Sequence, residues 1–271
     1  MGRTAGRMGR VRAPRAVVAA VIAACGLLAA CGGAAAAAPQ APAATWQYQL
    51  QGTVDTSVDA GTFDVDLFDT PAQTVADLKA KGRTVICYLN AGASEDWRPD
   101  FGALPKELLG KPLDDWPGER WLDISRPDAL RPFLAARFDL CKQKGFDGVE
   151  PDNVDGYANK TGFALTADDQ LAYNTMLAQL AHDRGLTVGL KNDLDQVEDL
   201  VGPFDFAVNE QCAQYRECDA LRPFVDAGKP VLHVEYTLAL SAFCPPPRGF
   251  LSIRKPLRLT AEVQPCPSPR G

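Results

Sequence analysis

Histidine is scarce in this chain of 271 residues: only His182 and His233 occur. Neither has an obvious serine or cysteine partner, and no Gly-x-Ser-x-Gly elbow is present, so a serine- or cysteine-based triad is not indicated. There is no Cys-x-x-Cys pair, and with so few imidazoles a zinc site is not expected, nor is any other cofactor. No glycine-rich phosphate loop follows an apolar run, which counts against a dinucleotide-binding sheet. The N-terminal apolar run, Ala16–Ala30, is 15 residues long, short of the roughly 20 that a membrane-spanning helix needs.

Acids are also missing from the first 30 residues, which carry Arg3, Arg7, Arg10, Arg12 and Arg15 ahead of that apolar run. This is the pattern of an export signal. Leu28-Ala29-Ala30-Cys31 at its end resembles the lipobox of bacterial lipoproteins, so Cys31 is the expected lipidated first residue. Cys25 is a second match with a shorter apolar run, and cleavage within Ala34–Ala38 would instead release a free secreted protein. The resulting division is a signal over 1–30, a Gly/Ala/Pro-rich tether over 31–44, a folded domain over 45–256 and a Pro-rich tail over 257–271. Without the five leading arginines, 23 basic residues face 34 acidic ones, a formal charge of −11. Such a balance argues against nucleic acid and would attract a cationic partner, although solubility alone accounts for it as well. The expected protein is an exported monomer that touches the membrane only through its lipid.

From Trp46 onward, short apolar runs alternate with helical stretches. The runs are 46–51, 63–68, 84–90, 120–124, 146–153, 187–192, 204–210 and 230–236, with a last short one at 250–254. Helices are expected after Thr70-Pro71, over 127–144, over 166–184 and over 218–227, each stopped by a glycine at 82, 145, 185 or 228. Strand–helix repetition at this spacing gives a parallel sheet, and about eight strands make a closed (β/α)8 barrel the best fit, ahead of a doubly wound open sheet. Among the cysteines, Cys212, Cys218, Cys244 and Cys266 lie in loop-like sequence and could form two bridges, whose pairing the sequence leaves open. Cys87 on an apolar strand and Cys141 on a helix are expected as buried thiols.

In such a barrel the chemistry sits where strands end. Those ends carry Asp66 and Asp69, Tyr88 and Asn90, Asp123, then Glu150, Asp152 and Asn153. Lys191 and Asn192, Asn209, Glu210 and Gln211, and Glu235 with Tyr236 complete the series. Carboxylates and amides dominate, as the floor of a cleft for glycosidic-bond hydrolysis would require: one acid protonates the leaving oxygen while the other attacks the sugar or activates water. Alternation along a strand puts Glu150 below Asp152 on the same face. By spacing alone, Asp152 and Glu210 are equally good candidates.

Several runs, in order, resemble glycoside hydrolase family 114. They are Trp46-Gln-Tyr-Gln-Leu-Gln-Gly52, Val85-Ile-Cys-Tyr88 with Ala91-Gly92, Glu95-Asp-Trp-Arg98 and Trp121-Leu-Asp123. Further on come Gly145-Phe-Asp-Gly-Val-Glu-Pro-Asp-Asn-Val-Asp-Gly-Tyr157, Gly189-Leu-Lys-Asn192, Asn209-Glu-Gln-Cys212 and Val234-Glu-Tyr236. The resemblance implies an endo-α-1,4-polygalactosaminidase on a (β/α)8 barrel and puts the family's two acids on Asp152 and Glu210. One departure is Asn90, where the family more usually has serine.

A deacetylated galactosamine polymer is cationic. Asp66, Asp123, Glu150, Asp155 and Glu235 are therefore expected to hold ammonium groups, with Asn153, Asn192 and Gln211 as further polar contacts. Tyr88, Tyr157, Tyr236 and Trp46 are expected as stacking faces or core packing, and Lys191 as a sugar contact or an ion pair. Asn153 and Lys191 beside Asp152 favour a carboxylate kept ionised, hence a nucleophile with retention, and leave the acid/base role to Glu210. A non-catalytic polysaccharide-binding lipoprotein and a hydrolase of another hexose or amino-sugar polymer are the rival readings.

Overall fold

The computed structural model describes residues 45–267. The expected signal, the tether and both candidate lipidation sites, Cys25 and Cys31, lie outside the described residues. Eight strands form one parallel sheet: β1 (Trp46–Gln49), β2 (Thr62–Asp66), β3 (Thr84–Asn90), β7 (Gly148–Asp152), β8 (Thr187–Lys191), β9 (Phe206–Glu210), β10 (Val231–Glu235) and β11 (Phe250–Arg254), in that spatial order. A short β12 (Gln264–Pro265) pairs antiparallel with β11. Side chains bridge the seam between β11 and β1. Trp46 Nε1 donates to Leu251 O at 2.8 Å and Lys255 Nζ to Gln47 Oε1 at 2.8 Å, closing a TIM-like barrel.

Period-2 alternation sorts the strand side chains into two cores. Phe63, Val65, Val85, Cys87, Leu89, Val149, Val188 and Leu190 face outward against the helices. Tyr48, Ile86, Phe206, Val208, Leu232, Val234 and Ile253 fill the barrel. The outer layer is α1 (Ala72–Ala80), α2 (Pro127–Lys144), α3 (Ala167–His182), and the short α4 (Val197–Leu200), α5 (Cys212–Tyr215) and α6 (Arg222–Asp226). Local sequence explains their ends. α2 opens with Pro127 in its first turn and stops at Gly145, whose φ of 91° favours glycine. Before α3, Thr166 and Asp169 form a reciprocal capping box, worth about 1 kcal/mol.

The fourth apolar run is not a barrel strand. β6 (Glu119–Leu122) belongs to a separate antiparallel sheet with β4 (Ala93–Glu95) and β5 (Leu109–Pro112), inserted after β3. The run's periodicity identifies a strand but not its sheet. The stretch before it holds two single 3₁₀ turns, Phe101–Ala103 and Lys106–Leu108, rather than the crossover helix that a parallel neighbour usually needs. The run at 250–254 supplies the eighth barrel strand instead.

The four loop cysteines pair as Cys212–Cys218 and Cys244–Cys266. The expectation of free thiols at Cys87 and Cys141 is overturned, since the two form a disulfide. Cys87 points outward from β3 and Cys141 inward from α2, so the wall-to-helix packing that buries both also brings them together, with Cα atoms 6.0 Å apart. Residues 257–267 return to the barrel and cover its seam. Leu259 O accepts from Leu50 N at 3.0 Å, and Ala261 O accepts from Gln47 Nε2 at 2.7 Å.

Cys87 and Cys141 are 54 residues apart in sequence. Closing a loop of that length restrains the unfolded chain by about 4 kcal/mol. The Cys87→Ala/Cys141→Ala variant should therefore melt about 10 °C lower than the parent in a thermal scan. An unchanged melting temperature would refute the contribution.

Candidate active site

Three neighbouring strands converge at their C-terminal ends. β7 ends in Asp152, β8 in Lys191 and β9 in Glu210. The Lys191 ammonium, 2% exposed, lies 3.0 Å from Asp152 Oδ1, 3.4 Å from Glu210 Oε2 and 3.0 Å from Glu150 Oε1. It also donates to Tyr48 Oη at 3.1 Å. Burial alone would lower the lysine's pKa, but the three carboxylates outweigh it and hold the group charged.

Asp152 accepts from Tyr88 Oη at 2.7 Å on its second oxygen and from its neighbour's backbone, Asn153 N, at 2.8 Å on its first. Burial pushes this carboxyl up, yet the Lys191 charge and the Tyr88, Lys191 and Asn153 hydrogen bonds bring it below the ordinary range. Glu210 is bonded by Tyr236 Oη and, at 3.5 Å, by Asn192 Nδ2. Its side chain is 26% exposed, against 18% for Asp152. The residues after these strands take left-handed backbone: Asn153 (φ 59°), Asn192 (φ 48°), Asp193 (φ 47°) and Gln211 (φ 65°). This turns the chain sharply off each strand. It lets Asn192 Oδ1 accept from Glu210 N at 3.0 Å and Asn153 Nδ2 donate to Asn90 Oδ1 at 3.1 Å. The β3 loop fits beneath Asn153 only because residue 92 is glycine, since a Cβ there would lie 1.7 Å from Asn153 O.

Below Asp152, Glu150 is fully buried and receives Tyr48 Oη at 3.0 Å on the same oxygen as Lys191. Its remaining side-chain partner is Asp64, also fully buried. Burial and then the Glu150 charge raise Asp64 well above the ordinary carboxyl range. Of this buried pair, Asp64 is thus the acid biased towards the neutral form. Were it ionised as well, one lysine would face four negative charges.

The expected substrate contacts divide. Asp155, Tyr157, Asn192 and Gln211 line a cleft of about 380 Å³ together with Glu210 and Asp193. Burial and the Asp152 charge raise Asp155 to about 6, while burial and the Asp155 charge raise Asp193 to about 7. A larger cavity of about 770 Å³ lies at the opposite barrel end, before β10 and β11, and holds none of these residues.

Others are engaged elsewhere. Asp66 faces Arg98 and the backbone N–H groups of Phe68 and Asp69, so it caps a loop and is not offered to the cleft. Asp123 ends no barrel strand and accepts from Ser125 Oγ within its own turn. Glu235, fully buried, is bonded by His233 at 2.9 Å and by the Ala213 and Gln214 N–H groups, and so holds the β9 loop. Glu150 and Lys191 sit beneath the cleft floor. The Asn153 side chain turns to Asn90, and Tyr88 and Tyr236 spend their hydroxyls on the two carboxylates. Trp46 is a seam residue. The departure at Asn90 proves internal: the residue is fully buried and joins Glu119 Oε2 (2.9 Å), Ala93 N (2.8 Å) and Asn153.

Sequence reasoning missed Tyr48, Asp64, Glu119 and Asp193. Alternation from Asp66 placed Asp64 inside the barrel and could have found it. Glu119, raised to about 8 by burial and by Glu95 and Asp152, comes from the insertion, whose position no periodicity shows.

The profile of glycoside-hydrolase family GH114 matches residues 29–267. Among solved structures, Aspergillus fumigatus Ega3 in complex with galactosamine is 41% identical, with a TM-score of 0.80, covering 86% of this chain and 98% of that one. The glycoside hydrolase domain of PelA from Pseudomonas aeruginosa shares the fold at 13% identity, with a TM-score of 0.61 over 79% of this chain and 94% of that one. A Deinococcus radiodurans protein, described only as uncharacterized, is 29% identical over 227 residues, covering 70% of this chain and 71% of its own.

Lys191→Met should leave three carboxylates facing one another and cost about 3–5 kcal/mol at neutral pH. That loss should shrink as pH falls and the carboxylates take up protons. Asp64→Asn puts a neutral amide in place of an acid already biased towards its neutral form and should cost under about 1 kcal/mol. Denaturant titrations at several pH values test both; a Lys191→Met variant as stable as the parent at pH 7 would reject the charge assignment.

Proposed function

The chain belongs to glycoside hydrolase family 114, and we propose that it cleaves α-1,4-galactosaminidic bonds within a galactosamine-containing exopolysaccharide outside the cell. The observation that carries this reading is the placement of Asp152 and Glu210 around one buried ammonium, at the edge of a cleft that also holds Asp155 and Asp193. Galactosamine bound to Ega3 supports an amino-sugar substrate, and the acidic balance of the chain suits a cationic polymer.

Asp152 receives three donors and is the nucleophile. Its carboxylate attacks the anomeric carbon and the bond to the glycosidic oxygen breaks, with Glu210 as the general acid that hands that oxygen a proton. Glu210 then takes a proton from water, whose oxygen attacks the same carbon and frees Asp152, with net retention. Lys191 lies 3.0 Å from one acid's oxygen and 3.4 Å from the other's, so those two oxygens are at most 6.4 Å apart. Retaining pairs hold their carboxyl groups about 5–5.5 Å apart and inverting pairs about 6.5–9.5 Å, so the choice of retention rests on the three donors to Asp152 and is tested by the product's anomeric form.

Asp152→Asn and Glu210→Gln should each lower turnover on polygalactosamine by three or more orders of magnitude, while polymer binding persists. Near-parental turnover in either variant would remove the pair from the mechanism. An inverted first product by NMR would remove the nucleophile role alone.

We propose further that export ends at Cys31 and that acylation there anchors the enzyme to the membrane. Cys31→Ser should move the protein from the membrane fraction to the medium. Retention of that variant on membranes, with release of Cys25→Ser, would reassign the anchor.

A further inference from the structure

We propose that the inserted three-stranded sheet of β4, β5 and β6 is a second sugar-binding surface, at which Trp97 and Trp116 stack on distal units of a cationic amino-sugar chain while Asp96, Asp114 and Asp115 receive its ammonium groups. The inference rests on the amino-sugar reading of the substrate and extends it to a part of the chain outside the cleft.

The aromatic distribution is its starting point. Of the four tryptophans, Trp46 and Trp121 are buried, whereas Trp97, just after β4, and Trp116, in the β5–β6 hairpin turn, are 53% and 50% exposed. Trp97 is held by packing. A Cβ on Gly118 would come within 2.8 Å of the Trp97 ring, and the φ of 93° at Gly118 also favours glycine, so hairpin and ring are built around each other. The Arg98 guanidinium, 6.0 Å from the Trp97 ring centroid, occupies one side of that indole; the exposed indole surface left on Trp97 and Trp116 can accept the C–H face of a sugar.

Charge selects the sugar. Asp96, Asp114 and Asp115 are all exposed and, among the described residues, have no ion-pair partner. The nearby guanidinium groups are committed elsewhere, Arg98 to Asp66 and Glu95 and Arg120 to Gly110 O. Neutral sugars would gain only from the indoles, while an ammonium-bearing sugar gains from both groups.

The hairpin is continuous with the cleft. Gly118 precedes Glu119, which accepts from Asn90 at 2.9 Å, and Asn90 is the register partner of Asp152. Gly92 N bonds to Asp152 O at 2.9 Å, and four residues lie between Gly92 and Trp97, a reach of at most about 17 Å. That spans a few sugar units. On the β9 side the exposed Tyr215 lines the cleft, so a long chain would meet an aromatic on each side of the carboxylates.

The test compares the parent with Trp97→Ala/Trp116→Ala and with Asp96→Asn/Asp114→Asn/Asp115→Asn, on partly deacetylated polygalactosamine and on short oligomers that cannot reach the hairpin. Both variants should raise KM for the polymer about tenfold with kcat nearly constant, and should cleave the short oligomers at the parental rate. The aspartate variant should lose its defect on a fully acetylated polymer. Polymer should also quench tryptophan fluorescence in the parent and not in the tryptophan variant. Unchanged polymer KM in both variants, or no quenching in the parent, would overturn the surface. Failure of the parent to cleave any galactosamine oligomer would overturn the substrate reading instead, and the quenching result would still decide whether the hairpin binds the polymer.

Discussion

A single ammonium group organises the centre of this protein. Lys191 projects from β8 between the strands that end in Asp152 and Glu210, so the two acids flank it by topology. Strands spaced about 4.8 Å apart would leave the ends of β7 and β9 nearly 10 Å from each other. Inward curvature and a shared cation bring their side chains much closer. The ammonium cannot follow either acid outward, because Glu150 and Tyr48 hold it from below. Its charge is thus fixed in place before any ligand arrives, and no rearrangement is needed when charge at either carboxylate changes.

That arrangement depends on unfavourable backbone elsewhere. Left-handed conformations at Asn153, Asn192, Asp193 and Gln211 cost on the order of 1 kcal/mol each for residues other than glycine. They are retained where the turned chain does something specific. Asn192 fixes the Glu210 backbone, and Asn153 supplies Asp152 with an N–H while tying its own side chain to Asn90. Glycine at these four positions would relieve the strain and remove the side chains that hold the site.

The sequence made the barrel and the two acids legible because both follow from one-dimensional signals: apolar runs of strand length, glycine stops, and polar residues at the end of each run. Asp66 and Glu235 share that signal yet serve loops, since periodicity gives a side chain's face but not the partner that reaches it. Arg98 arrives at Asp66 from the insertion, and the Ala213 and Gln214 N–H groups arrive at Glu235 from the β9 loop. For the same reason β6 read as a barrel strand, and Cys87 and Cys141 as separate thiols. Exposure was equally hidden, so the aromatics expected to meet sugar were mostly those of the core, and the indoles facing solvent were overlooked.

A site this rich in acids would repel itself if every carboxyl were ionised. Asp64 eases part of the problem, since burial within the barrel disfavours its charged form. Asp155 and Asp193 resolve it differently. They line the open cleft, and their values of about 6 and 7 leave them close to ionising at neutral pH. On the proposed amino-sugar reading, an ammonium group entering the cleft would favour the ionised form of both. Asp64 is thus sealed within the barrel, whereas Asp155 and Asp193 face the cleft and can respond to what enters it. The same barrel can hold both because contact with the cleft, and not residue type, decides which carboxyl can respond.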